Sequence, residues 1–178
     1  MARSSSLIAK AFEKLATYQH LLIILLSLFL ISTSPWIMMG RTLRSSASIW
    51  DYLHVYLGLL TGLLSITMFL ANILKGKWRQ YFPWLAGDFS QLKRDLVGLV
   101  KGKVPLAGGR GLFSFVEGLG MLLMLGVALT GVMWFFLQGS SDALTWRSYH
   151  IWFAKGFIGF IVVHVIFACL HLLDFIRN

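Results

Sequence analysis

Three histidines, His150, His164 and His171, and one lysine, Lys155, lie within an apolar run from Ser148 to Phe175. As an α-helix, this run places His150 and His164 about 21 Å apart along the axis and only about 40° apart around it. Two imidazoles on one face, at two depths of a hydrocarbon layer about 30 Å thick, form a costly arrangement that signals function. Imidazole is a good axial ligand for haem iron, so the spacing points to two metal-bearing levels, each needing one more histidine from elsewhere. His20 and His54 are the remaining histidines. Cys169 is the single cysteine, which excludes a disulfide framework, a zinc–cysteine site and a cysteine-ligated iron–sulfur cluster. Inside an apolar run it reads as a small packing residue.

The elements that must carry these histidines follow from composition. Of 178 residues, 57% are apolar and 13% charged, with mean hydropathy +0.74. That profile excludes a soluble domain and predicts an all-α, multi-pass membrane protein. Four spans are expected, at about 18–39, 51–74, 112–138 and 148–175, forming one four-helix domain over 1–178. The polar start, with Arg3, Lys10 and Lys14, reads as a short interfacial helix. A cleaved signal peptide is disfavoured because no A-x-A-like site follows. Between spans two and three, the loop 75–111 holds eight basic residues. Within it, Phe89, Leu92, Leu96, Leu99 and Val100 recur at amphipathic spacing, which predicts a helix on the membrane surface.

With four spans, both termini and the long loop share one side, which carries twelve basic residues against Arg41, Arg44 and Arg147 on the other. The positive-inside rule makes the termini and the long loop cytoplasmic. The formal charge of +9 is therefore a topology signal, and no nucleic-acid partner is expected. Depth then pairs the histidines as His54 with His150 outside and His20 with His164 inside. The chain so read binds two stacked haems through four axial ligands. His171 is the surplus imidazole, near the cytoplasmic end, and suits an interfacial or quinone-site role better than ligation. Gly58 and Gly62 follow His54 at i+4 and i+8; they admit either a flat porphyrin or close helix packing. Arg41 and Arg44 outside, and Lys10 and Lys14 inside, are available to propionates, although topology alone accounts for them. Lys155 points away from the histidine face; snorkelling to the interface is favoured over an ion pair with a partner.

On four spans, one histidine opening each of the first two, none in the third and a 14-residue pair in the fourth, the chain resembles the bacterial cytochrome b561 and nickel-hydrogenase b-type cytochrome superfamily. That superfamily includes the gamma subunits of membrane formate dehydrogenases. The resemblance implies a bacterial inner-membrane protein in which His20, His54, His150 and His164 ligate two haem b groups. The segment DFSQLKRDL, Asp88–Leu96, is similar to the formate dehydrogenase gamma subunits. The stretch KVPLAGGRGLF departs from them, because it lacks the asparagine of their G-K-x-N-type segment, so quinone-site residues do not carry over. Three functions are compatible. The first is a quinone-reactive electron-transfer subunit of an oxidoreductase, linking a redox partner to the quinone pool of a respiratory chain. The second is a self-contained superoxide:quinone oxidoreductase, with the outer arginines steering the anion. The third is a haem-free membrane scaffold or assembly factor.

Overall fold

The computed structural model describes residues 7–105 and 109–177, with side chains described from Tyr18 onward except at Asp174 and Arg177. Arg3, the side chains of Lys10 and Lys14, and the middle of KVPLAGGRGLF lie outside the described residues. Seven α-helices are present among the described residues: α1 Leu7–Thr33, α2 Ile49–Leu74, α3 Trp78–Tyr81, α4 Pro83–Ala86, α5 Ser90–Val100, α6 Leu112–Phe136 and α7 Ala143–Arg177. Four of them, α1, α2, α6 and α7, are long and apolar enough to cross a membrane. Large apolar side chains stand exposed on all four, such as Leu25 at 56%, Leu63 at 60%, Leu129 at 59% and Val162 at 55%. Exposed faces of that kind on every long helix need hydrocarbon as solvent, and within hydrocarbon the helical backbone satisfies its own hydrogen bonds.

The ends of these helices follow local chemistry. The polar start is continuous with the first span in α1, not a separate interfacial helix, since nothing between Leu7 and Tyr18 breaks it. At the other end α1 stops at Thr33 instead of running on to Met39. The Thr33 and Ser34 hydroxyls donate to the carbonyls of Phe29 and Ile31, at 2.8 Å each. Pro35 then holds a short 3₁₀ turn, Ser34–Trp36, because it has no N–H to continue an α-helix.

Helix α2 opens on a reciprocal cap. Ser48 N–H donates to Asp51 Oδ2 at 3.0 Å, and Asp51 N–H donates to Ser48 Oγ at 3.2 Å. The other Asp51 oxygen accepts from Met38 N–H at 2.9 Å, which ties the preceding loop to the helix start. Helix α7 begins five residues before Ser148. Gly139, at φ +85°, makes the turn, and the chain is helical again from Ala143. A left-handed φ there favours glycine.

The long loop is mostly helical. Pro83 opens α4, and Gly87, at φ +66°, closes it. α5 covers the amphipathic stretch. Its buried Asp95 accepts from Leu112 N–H at 2.8 Å, placing a carboxylate on the orphan amides at the start of α6. Gly111 has no room for a side chain beside that carboxylate.

Two compact units are built from these elements. Met1–Met68 with Ala128–Arg147 forms the first, and Phe69–Val127 with Ser148–Asn178 the second. In the first, Val55, Trp134 and Ala143 make the buried core, flanked by Met39, Leu43, Leu59, Phe135 and Trp146. The Trp134 indole donates to Gly40 O at 3.0 Å, and Leu43 N–H donates to Gln138 Oε1 at 2.8 Å, so the 37–48 loop is pinned down. In the second, glycines of α6 take aromatic rings of α7: a Cβ at Gly120 would collide with Phe160, and one at Gly126 with Phe153. The glycine-rich composition of the third span is thus a packing requirement.

Candidate haem-binding histidines

In the first unit, His20 sits on α1 and His54 on α2, and their difference in level can be read from the contact between these helices. Gln19, buried beside His20, donates through Nε2 to Leu64 O and to Thr67 Oγ1, each at 2.6 Å. The ring of His20 itself is exposed. Leu64 and Thr67 follow His54 by 10 and 13 residues, or about 15–20 Å of helix rise. His54, half-buried, lies one turn and a little more into α2, with Asp51 within electrostatic reach.

The approach of a flat group to His54 is decided by its two following glycines, and they differ. A Cβ at Gly62 would stand 3.1 Å from Ala128 Cβ, so Gly62 serves the close contact of α2 with α6. A Cβ at Gly58 meets no other atom within 4 Å. Of the two, Gly58 alone keeps the surface beside the imidazole clear for a ring.

In the second unit, α7 is uninterrupted through His150, His164 and His171. The 14-residue spacing is therefore about 21 Å of continuous helix. His150 Nδ1 lies 3.0 Å from Val127 O. A carbonyl only accepts, so Nδ1 carries the proton and Nε2 keeps its lone pair for a metal; ligating histidines are commonly oriented by such a bond. His164 packs between Phe160 and Phe113, with ring centroids 5.3 and 5.8 Å away. His171 meets the same Phe113 edge-on at 5.1 Å, and its Nε2 is buried without a hydrogen-bond partner. These residues fit haem: imidazoles on continuous helices, one held in the ligating tautomer, and a glycine clearing the ring's approach.

A family model described as prokaryotic cytochrome b561 matches residues 11–174. The chain belongs to that family. It is therefore a membrane b-type cytochrome of electron transfer, with haem b as its cofactor. No curated protein and no solved structure matches the chain. Among the described residues of this cytochrome, no three His, Cys, Asp or Glu side chains converge, as bis-imidazole ligation requires none to.

Other residues singled out by type fall into place in the cytochrome's structure. Arg41, Arg44 and Arg147 are all exposed, in the first unit. Lys155 Nζ lies 5.2 Å from the Trp152 ring centroid, a cation–π pair on the exposed face of α7. Cys169 is exposed, not packed, because it falls on the outward side of α7. Glu117 was not signalled by any motif. It is a lone carboxyl in the apolar α6, near Lys77 and Tyr81 of the loop; burial first, and Glu117 second, push the Tyr81 phenol above its ordinary pKa. A single acid in a glycine-rich run has no spacing partner that would flag it.

Proposed function

We propose that this cytochrome carries two haem b groups and moves electrons across a bacterial inner membrane, between a redox partner outside and the quinone pool at the cytoplasmic side. The observation that carries the proposal is a repeated distance. Along α7 the levels of His150 and His164 differ by about 21 Å, and within the first unit those of His54 and His20 differ by about 15–20 Å. With the spans alternating in direction, these nearly equal separations support pairing His54 with His150 and His20 with His164. His171 would need a separation of about 31 Å from His150, which the first unit does not offer.

In this reading the termini and the 75–111 loop face the cytoplasm, the whole chain forms one membrane domain, and α5 lies on the membrane surface. Val127 O orients His150, and the Asp51 carboxylate, held by Ser48 and Met38, lies within electrostatic reach of His54. The Phe113 and Phe160 rings hold His164 in place, while Gln19 fixes the helix that bears His20. Haem held between paired imidazoles of His20, His54, His150 and His164 would supply one-electron exchange.

A second reading, a self-contained superoxide:quinone oxidoreductase, draws support from the exposed Arg41, Arg44 and Arg147, which would attract an anion. The purified chain, given superoxide and quinone with no other subunit, separates the two. Turnover supports the second reading, and turnover only with a dehydrogenase subunit supports the first. The parent proposal is tested by the reduced-minus-oxidised absorption spectrum and the haem-to-protein ratio. Sharp b-type bands with two haems per chain are expected; one haem per chain would rule out the two-level arrangement.

A further inference from the structure

Where α2 ends and the long loop begins, the second unit holds an apolar groove of about 450 Å³, lined by Phe69, Ile73, Trp78, Phe82, Trp84 and Leu122 among others. Its position is set by the sequence. Leu74 is the last residue of α2, so the groove lies where the hydrocarbon gives way to headgroups. Its wall is held by edge-on aromatic contacts, Phe69 to Phe82 at 6.2 Å, Phe82 to Trp84 at 5.3 Å and Trp84 to Phe115 at 5.2 Å. Gln80 Nε2 donates to Ser114 Oγ at 3.1 Å, and Gly118 lets the Tyr81 carbonyl approach α6, so the loop is fastened there.

The rim is cationic. Lys75 and Lys77 stand exposed between the lining residues Ile73 and Trp78. The Arg79 guanidinium carbon lies 5.1 Å from the Trp78 ring centroid, which leaves its N–H groups free to face an anion at the mouth. Glu117 of α6 lies near Lys77 and offsets part of this charge, whereas the two acidic residues of the 75–110 stretch are engaged elsewhere. Asp88 is taken by the Ser90 hydroxyl at 2.7 Å and by Arg110 at 3.4 Å; Asp95 is buried on the start of α6.

We propose that this groove is a binding site for an anionic glycerophospholipid, with an acyl chain along the aromatic wall and the phosphate on Lys75, Lys77 and Arg79. An apolar channel opening onto Lys75, Lys77 and Arg79, against which Glu117 sets a single carboxyl, is complementary to a lipid that is apolar at one end and negative at the other. A quinone fits less well. The lining is apolar and aromatic throughout, and the Glu117 carboxyl near it is not among the residues that line the groove. Nothing in this inference depends on the haem pairing or on a quinone site.

The test uses the full-length, haem-loaded protein, stripped of lipid in detergent and titrated with phosphatidylglycerol or phosphatidylcholine under native mass spectrometry. One phosphatidylglycerol adduct per chain should form at roughly tenfold lower concentration than the phosphatidylcholine adduct. K75Q/K77Q/R79Q should abolish that preference, and the exposed-loop control K93Q/R94Q/K101Q should keep it. Leu122→Trp, which fills the groove, should lose the adduct while retaining the haem spectrum. If Leu122→Trp fails to fold, the two charge variants still decide. Equal binding of both lipids, a preference lost only in the control variant, or displacement of the adduct by a water-soluble quinone would each overturn the site.

Discussion

The Gln19 carboxamide donates to the Thr67 hydroxyl at 2.6 Å, and thereby fixes the level of His20 against α2, whose single histidine, His54, lies 13 residues before Thr67. On α7 the corresponding separation, His150 to His164, is 14 residues. Two different constraints, a side-chain clamp between helices and the rise of a single helix, yield nearly equal distances. A cofactor pair that must stack at a fixed spacing would impose this equality.

Gln19→Leu removes both donors from the α1–α2 contact and leaves Leu64 O without this partner. Loss of the clamp should cost about 1–3 kcal/mol. The expected result is partial loss, or a shifted midpoint potential, of the haem served by His20, with the other unchanged. A redox titration followed by absorbance resolves the two components.

Gly58 and Gly62 should respond differently to the same substitution. Gly62→Leu forces a side chain against Ala128, and overpacking of that kind costs about 1–3 kcal/mol, so thermal stability in detergent should fall. Gly58→Leu, whose Cβ has no neighbour within 4 Å, should leave the helical circular dichroism intact, yet reduce haem content at the His54 level. Equal loss of stability in both variants would contradict the assignment of Gly58 to the cofactor.

Asp95→Ala removes the acceptor for Leu112 N–H and opens space beside Gly111. The start of α6 should weaken by about 1–2 kcal/mol, the typical worth of such a cap. Proteolysis should then nick the Val100–Gly111 connection faster, with the b-type spectrum retained. Asp95→Asn, which still accepts through its amide oxygen, should recover much of the protection.

What was legible beforehand was what depends on local geometry. Helix rise and rotation alone gave the spacing of His150 and His164, and hydropathy gave the four long helices. Amphipathic spacing gave α5. Termini were less legible where a turn residue competed with an apolar run. Pro35 stops the first helix well before Met39, and Gly139 confines the last turn to a few residues, so α7 starts ahead of Ser148. The contacts that grade individual residues were not legible at all. Whether Gly58 or Gly62 clears a ring depends on where Ala128 arrives. The use of Gln19 depends on Thr67, 48 residues away. Asp95 as a cap for α6 depends on a loop returning across 17 residues.

The central claim is the pairing of imidazoles by level, and the most direct measurement is a redox-resolved difference spectrum of His20→Ala, His54→Ala, His150→Ala and His164→Ala, with His171→Ala alongside. The account predicts that His54→Ala and His150→Ala lose one and the same haem component, that His20→Ala and His164→Ala lose the other, and that His171→Ala keeps both. Members of one pair losing different components, or His171→Ala losing a component that His164→Ala retains, would contradict it.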